Sequence, residues 1–112
     1  MKTDGGGIQA VKGARNQALC REVNERIESI SETAGELQLL CECADLDCTE
    51  TMTMSVAEYE RIRGSAVRFP VIPGHQLSEI ENVVEENERY AVVQKRGKAA
   101  EVSAKFDPRS RA

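Results

Sequence analysis

The sequence predicts a single α+β domain in which a long N-terminal amphipathic helix packs on a small, mostly antiparallel sheet. Three observations point there. Apolar residues recur at helical spacing near the N-terminus, and short β-branched segments separated by turn residues follow them. A chain of 112 residues that is 40% hydrophobic can also build one core, but not two.

Residues 1–13 contain Gly5-Gly6-Gly7 and Gly13, with Ile8 and Val11 as the sizeable apolar residues. They read as a flexible arm, because consecutive glycines maximise the entropy cost of ordering. The domain proper is expected over residues 14–106. Leu19, Val23, Ile27, Ile30 and Ala34 recur at spacings of four, four, three and four, the signature of one helix face. Arg21, Glu22, Glu25, Arg26, Glu28 and Glu32 fill the other faces, and Gly35 supplies a stop. Residues 37–43 and 49–55 read as two strands of a hairpin whose tip, 44–48, carries Asp45 and Asp47. Ser55 and Glu58 have capping-box spacing, so a helix follows to about Arg63, burying Val56, Tyr59 and Ile62, with Gly64 closing it.

A third strand is expected over 68–72, ended by the turn dipeptide Pro73-Gly74. Residues 77–88 fit both a helix and a strand. Val83-Val84 followed by Asn87 favours a hairpin through Asn87-Glu88-Arg89 into a strand over 90–94, which Gly97 ends. A short helix over 98–105 and a frayed, Arg-rich tail over 107–112 complete the chain.

Composition narrows the function classes. There is no Trp, and Phe and Tyr number two each, so the core is built from Val, Ile, Leu and Ala. Cores this thin often need a metal or a disulfide. A formal net charge of −4 disfavours non-specific binding to nucleic acid or anionic membrane. The negative charge concentrates over residues 36–66, which hold seven acids and two bases. Residues 1–17 offer no apolar stretch that would serve as a signal-peptide core, and no run approaches a membrane span. The chain therefore reads as cytoplasmic, with its four cysteines reduced.

Three of those cysteines, Cys41, Cys43 and Cys48, fall within eight residues. Clustered thiols in a reducing compartment point to metal or redox chemistry. Strand alternation puts Cys41 and Cys43 on one face, and Cys48 can fold over from the far side of the tip. The single histidine, His75, follows Pro73-Gly74 at a strand end. A Cys3His set for structural Zn²⁺ is the simplest completion. Cys20, expected as a core filler on the first helix, is the rival fourth ligand. Glu42, Asp45 and Asp47 are expected to face water. Three thiolates and an imidazole close the zinc shell, leaving no open position for water, so no catalytic role is expected. A Cys48/His75 nucleophilic pair would lack an oxyanion site, and Gly5-Gly6-Gly7 lacks the strand and Lys of a phosphate loop.

Arg15-Asn16, residues 22–27, Leu40-Cys41-Glu42-Cys43, Cys48-Thr49-Glu50, Glu58-Tyr59-Glu60, Arg63, Phe69, Pro73-Gly74-His75, residues 90–93 and Asp107-Pro108 together resemble a group of small, uncharacterised Cys-rich proteins of actinobacteria. The likeness covers about residues 14–109. It implies a compact cytoplasmic domain with the Cys and His positions as metal candidates, and it brings no activity, substrate or partner. The expectation for function is a non-catalytic, zinc-stiffened module that binds another protein. A thiol-based sensor that releases zinc on oxidation is the alternative. A nucleic-acid-associated zinc protein has only the basic residues Lys95, Arg96, Lys98, Arg109 and Arg111 in its favour.

Overall fold

The computed structural model describes residues 3–31, 35–45 and 47–111, and side chains within 13–31, 35–45 and 47–109. Helix α1 (Thr3–Ile30) is followed by β1 (Glu36–Leu40), β2 (Thr51–Ser55), α2 (Val56–Arg63), β3 (Arg68–Val71), β4 (Glu81–Glu86), β5 (Ala91–Lys95), α3 (Gly97–Phe106) and a 3-10 turn (Pro108–Arg111). The fold is α+β, as expected, with its strands divided between two antiparallel sheets, β1-β2 and β3-β5-β4. Among the described residues, no helix is long and apolar enough to cross a membrane.

Strand alternation builds the core. Leu37 and Leu39 face inward opposite Met54 and Met52, and Tyr59, Ile62, Tyr90 and Val92 complete that cluster. A second cluster joins Cys41 and Cys43 to Phe69, Val71, Ala91 and Val93. The Ser55–Glu58 capping box forms as expected: Glu58 N–H donates to Ser55 Oγ at 3.1 Å, and Ser55 N–H donates to Glu58 Oε1 at 2.8 Å. Residues 81–95 form the hairpin that Asn87 favours, its side chain accepting from the Arg89 and Tyr90 amides.

Helix α1 departs from expectation in two ways. It begins at Thr3, so the segment read as an arm, Gly5-Gly6-Gly7 included, is helical backbone. A helix already pinned further along propagates without a new nucleus, which lets poor helix formers join it. Its buried face is also polar. Leu19, Val23 and Ile30 are 62%, 46% and 71% exposed, Ile27 is half-buried against the core, and Ala34 lies outside the described residues. The residues that go inside are Ala14, Gln17, Arg21 and Asn24.

That inversion has a specific cause. Arg21 Nε donates to Glu42 Oε1 at 2.9 Å, its guanidinium lies 3.9 Å from the centre of the Phe69 ring, and it also reaches the carbonyls of Ala66 and Arg68. Asn24 acts as an extra strand residue: its amide donates to Leu40 O at 2.9 Å, and its Oδ1 accepts from Leu40 N–H at 2.8 Å. Gln17 Nε2 donates to Glu42 O at 3.0 Å and to Glu81 Oε2 at 3.2 Å, where Glu81 also pairs with buried Lys95 at 2.7 Å. Arg21, Asn24 and Glu42 are matched in this way, which is the condition for burying polar groups at tolerable cost, while Gln17 Oε1 is left without a partner.

The expected frayed tail is instead a clamp. Asp107 is buried and takes Arg63 Nη2 at 2.6 Å, and the same guanidinium reaches Glu25 Oε2 on α1 at 2.6 Å. Arg109 then bridges Glu25 and Glu60 at 2.9 and 2.6 Å. These pairs join positions far apart in the chain, so no local signal announces them. Burial, the hydrogen bond shared with Glu60 and the charges of Glu60 and Glu25 push the Glu28 carboxyl in this network up to about 7.

Arg21→Met leaves Glu42 buried without its cation and is expected to cost about 3–5 kcal/mol. Leu19→Ala, on the exposed face, should cost about 0.5 kcal/mol or less. Urea unfolding of both variants checks this, and a larger loss from Leu19→Ala would contradict the assignment of faces. A second expectation concerns pH. The folded-state pKa of Glu28 lies above its ordinary value near 4.5, so its contribution to stability is fully present below that value and lost as pH rises through about 7. Glu28→Gln removes that loss and should unfold at higher urea than the unsubstituted protein at pH 8, with the gain vanishing at pH 4. A gain of equal size at both pH values would refute the assignment.

Candidate metal centre

The inward alternation that buries Leu37 and Leu39 continues past β1 and turns Cys41 and Cys43 to the same side. Cys41 N–H donates to Glu50 O at 2.9 Å, which extends the hairpin ladder, and Glu42 N–H donates to Pro70 O at 3.0 Å, which lays the segment along β3. At the tip, Asp45 accepts from Asp47 N–H at its Oδ1 (2.9 Å) and from Cys48 N–H at its carbonyl (3.2 Å). That turn brings Cys48 back over Cys41 and Cys43. On the other side, His75 N–H donates to Ile72 O at 2.9 Å and closes a turn in which Gly74 has φ +94°. An L side chain rarely adopts that φ, so glycine fits the turn that aims His75.

The three Sγ atoms and a ring nitrogen of His75 all lie within 4.8 Å of one another, close enough to hold a metal ion. His75 Nδ1 is 3.5 Å from Cys41 Sγ and 3.7 Å from Cys48 Sγ. A tetrahedral zinc with ordinary Zn–S and Zn–N bonds needs its S and N ligands about 3.5 Å apart and its sulfurs about 3.8 Å apart. The donor set therefore fits such an ion in chemistry, and the two Nδ1–Sγ distances fit it in spacing.

Cys41 Sγ accepts the Ile72 N–H at 3.1 Å, and the backbone amides of Asp45 and Glu50 favour the charged forms of Cys43 and Cys48. Without a metal, the hydrogen bond from the Cys41 thiol, joined by Asp45 N–H, His75 and Cys48, holds Cys43 down at about 5 against its burial. Donating that hydrogen bond, together with burial, pushes Cys41 well up, and burial raises Cys48. His75 Nε2 faces Glu50 Oε2 at 3.4 Å, leaving Nδ1 to the sulfurs. A carboxylate behind an imidazole fixes the ring and its tautomer in metal sites. Glu50 lies two residues after Cys48, and that spacing was the sequence signal for it.

All four predicted ligands come together. Asp45 and Asp47 are exposed, as expected. Glu42 is not: alternation sends it away from Cys41 and Cys43, and it is buried against α1, where Arg21, Asn24 and Tyr59 hold it. Cys20 is half-buried and lies outside the cluster. Burial, then the charges of Glu42 and Cys43, push its thiol up to about 11, which suits an inert residue. Among the described residues, no second group of His, Cys, Asp and Glu gathers for a metal. Comparison with known protein families, with curated proteins and with solved structures returned no match.

Proposed function

We propose that Cys41, Cys43, Cys48 and His75 hold a structural Zn²⁺ ion and that the protein is a non-catalytic interaction or regulatory module of the cytoplasm. The observation that carries the reading is the set of three sulfurs and a His75 ring nitrogen gathered within 4.8 Å of one another, with Nδ1 3.5 and 3.7 Å from the Cys41 and Cys48 sulfurs. Soft thiolates with one imidazole favour zinc over hard cations such as Mg²⁺ or Ca²⁺. Three thiolates, a neutral imidazole and Zn²⁺ leave a net charge of about −1, and the Ile72 N–H donates to one of the sulfurs, that of Cys41. Four protein ligands fill the tetrahedron, so the ion would tie the first hairpin to the turn after β3 and contribute directly to folding.

A second reading has one observation behind it. Cys48 is half-buried where Cys41 and Cys43 are buried, so an oxidant would meet it first and release the ion, as in a thiol-based sensor. Nucleic-acid binding loses support. Of the basic residues that would favour it, Lys95 is buried against Glu81 and Arg109 is held by Glu25 and Glu60.

Elemental analysis of the purified, reduced protein should return about one zinc per chain. Cys43→Ser and His75→Ala should lose that zinc and at least about 3 kcal/mol of stability to urea, because binding energy here is folding energy. Cys20→Ala should keep the metal and cost about 1 kcal/mol. A chain free of metal, or three equal and small effects, would overturn the assignment.

A further inference from the structure

In the proposed zinc site the three sulfurs are not equally protected. Cys41 and Cys43 are buried, whereas Cys48 is half-buried at the tip, between the exposed residues Asp47 and Thr49. The hairpin register decides which cysteine it faces. Strands β1 and β2 pair with Leu40 opposite Thr51, and the bond from Cys41 N–H to Glu50 O carries that register one step further. Counting on, Cys43 stands opposite Cys48. Directly opposed residues of an antiparallel pair have Cα atoms about 4.5–5.5 Å apart, within the range of about 4.4–6.8 Å that a disulfide accepts. The other two pairings fit less well. Cys41 and Cys43 lie side by side on one strand face, about 6.6 Å apart along it, and a disulfide needs Cβ atoms within about 4.5 Å. Cys41 is diagonal to Cys48, a Cα separation of about 7–8 Å, and its sulfur is held by the Ile72 N–H at 3.1 Å.

We propose that Cys43 and Cys48 form a disulfide when the protein meets a hydroperoxide, and that closing this bond discharges the zinc. The inference rests on the zinc reading and gives that site its regulation. First, the Cys48 thiolate attacks a peroxide oxygen. The O–O bond breaks, hydroxide leaves and takes up a proton as water, and Cys48 becomes a sulfenic acid. The Cys43 thiolate then attacks the Cys48 sulfur, the S–O bond breaks, and the departing hydroxide takes a second proton. Two thiolates, one peroxide and two protons from solvent thus become one disulfide and two waters, with two electrons passing from the sulfurs to the peroxide. Zinc is left with Cys41 and His75, half the ligand set of a structural site. Asp45, Asp47 and Glu50, exposed on either side of Cys48, repel anionic oxidants, so a small uncharged peroxide is the fitting class. Cys20 lies outside the cluster and takes no part.

Treating the zinc-loaded full chain with hydrogen peroxide tests this, with released zinc followed by a chromogenic chelator and the disulfide mapped by mass spectrometry. Cleavage at Glu42 and at Asp45 or Asp47 separates the three clustered cysteines. One zinc released per Cys43–Cys48 link is expected, with Cys41 and Cys20 still open to alkylation. A dithiol with added zinc should restore both the thiols and the metal. Cys20→Ala should behave as the unsubstituted chain does. A link to Cys41 or Cys20 overturns the proposal and leaves the zinc reading intact. So does zinc that stays bound through the treatment, or zinc lost to a sulfinic acid on Cys48 with no link formed. Reduced protein that carries no zinc defeats the metal reading, and the discharge with it, whatever disulfide the chain then forms.

Discussion

A carboxylate with no access to water has to be matched where it stands, and Glu42 is matched from three sides. Arg21 supplies the charge, Asn24 Nδ2 donates to Oε2 at 2.9 Å, and the Tyr59 hydroxyl donates to the same oxygen at 3.1 Å. Those donors come from α1 and α2, while the Glu42 backbone is shared between Gln17 on α1 and Pro70 on β3. One residue thereby fixes two helices and a strand about the segment that carries Cys41 and Cys43. Because side chains alternate along an extended chain, burying Glu42 on one side commits both cysteines to the other. The helix dock and the candidate metal site are opposite faces of the same three residues.

This arrangement explains how a chain with so few aromatics holds a long helix. The contact of α1 with β1 and the Glu42 segment is mainly polar, so its strength lies in matched hydrogen bonds and one buried ion pair, which are geometrically exacting. Asn16 extends the same mode, donating to the carbonyls of Cys43 and Asp45 at 3.2 and 3.3 Å. The helix therefore reads the backbone shape of residues 40–45. In the proposed zinc protein, that shape is set by the ion from below and by β3 from the side, and the Arg63–Asp107–Arg109 clamp secures the far end of the helix through Glu25.

Local rules carried much of this from the sequence. The four candidate ligands were legible because strand parity, a tight tip and a Pro-Gly turn each constrain where a side chain points. The α2 capping box and the Asn87 hairpin were legible for the same reason. The orientation of α1 was not, because periodicity arguments assume that the apolar stripe goes inside. A polar stripe at 17, 21 and 24 has equally good helical spacing, yet its meaning depends on Glu42, which sits in a different element. The tail was misread on the same ground, since Asp107 is ordered by Arg63 from the end of α2.

Hydrogen–deuterium exchange before and after metal removal tests the coupling between the two faces of Glu42 most directly. If the segment 40–45 joins the metal centre to the helix dock, stripping the ion should raise exchange across residues 41–50 and along α1 from about residue 16 to 24 together, while the β4–β5 hairpin stays protected. Faster exchange confined to the metal loop, with α1 unchanged, would contradict it and leave the helix held independently of the site.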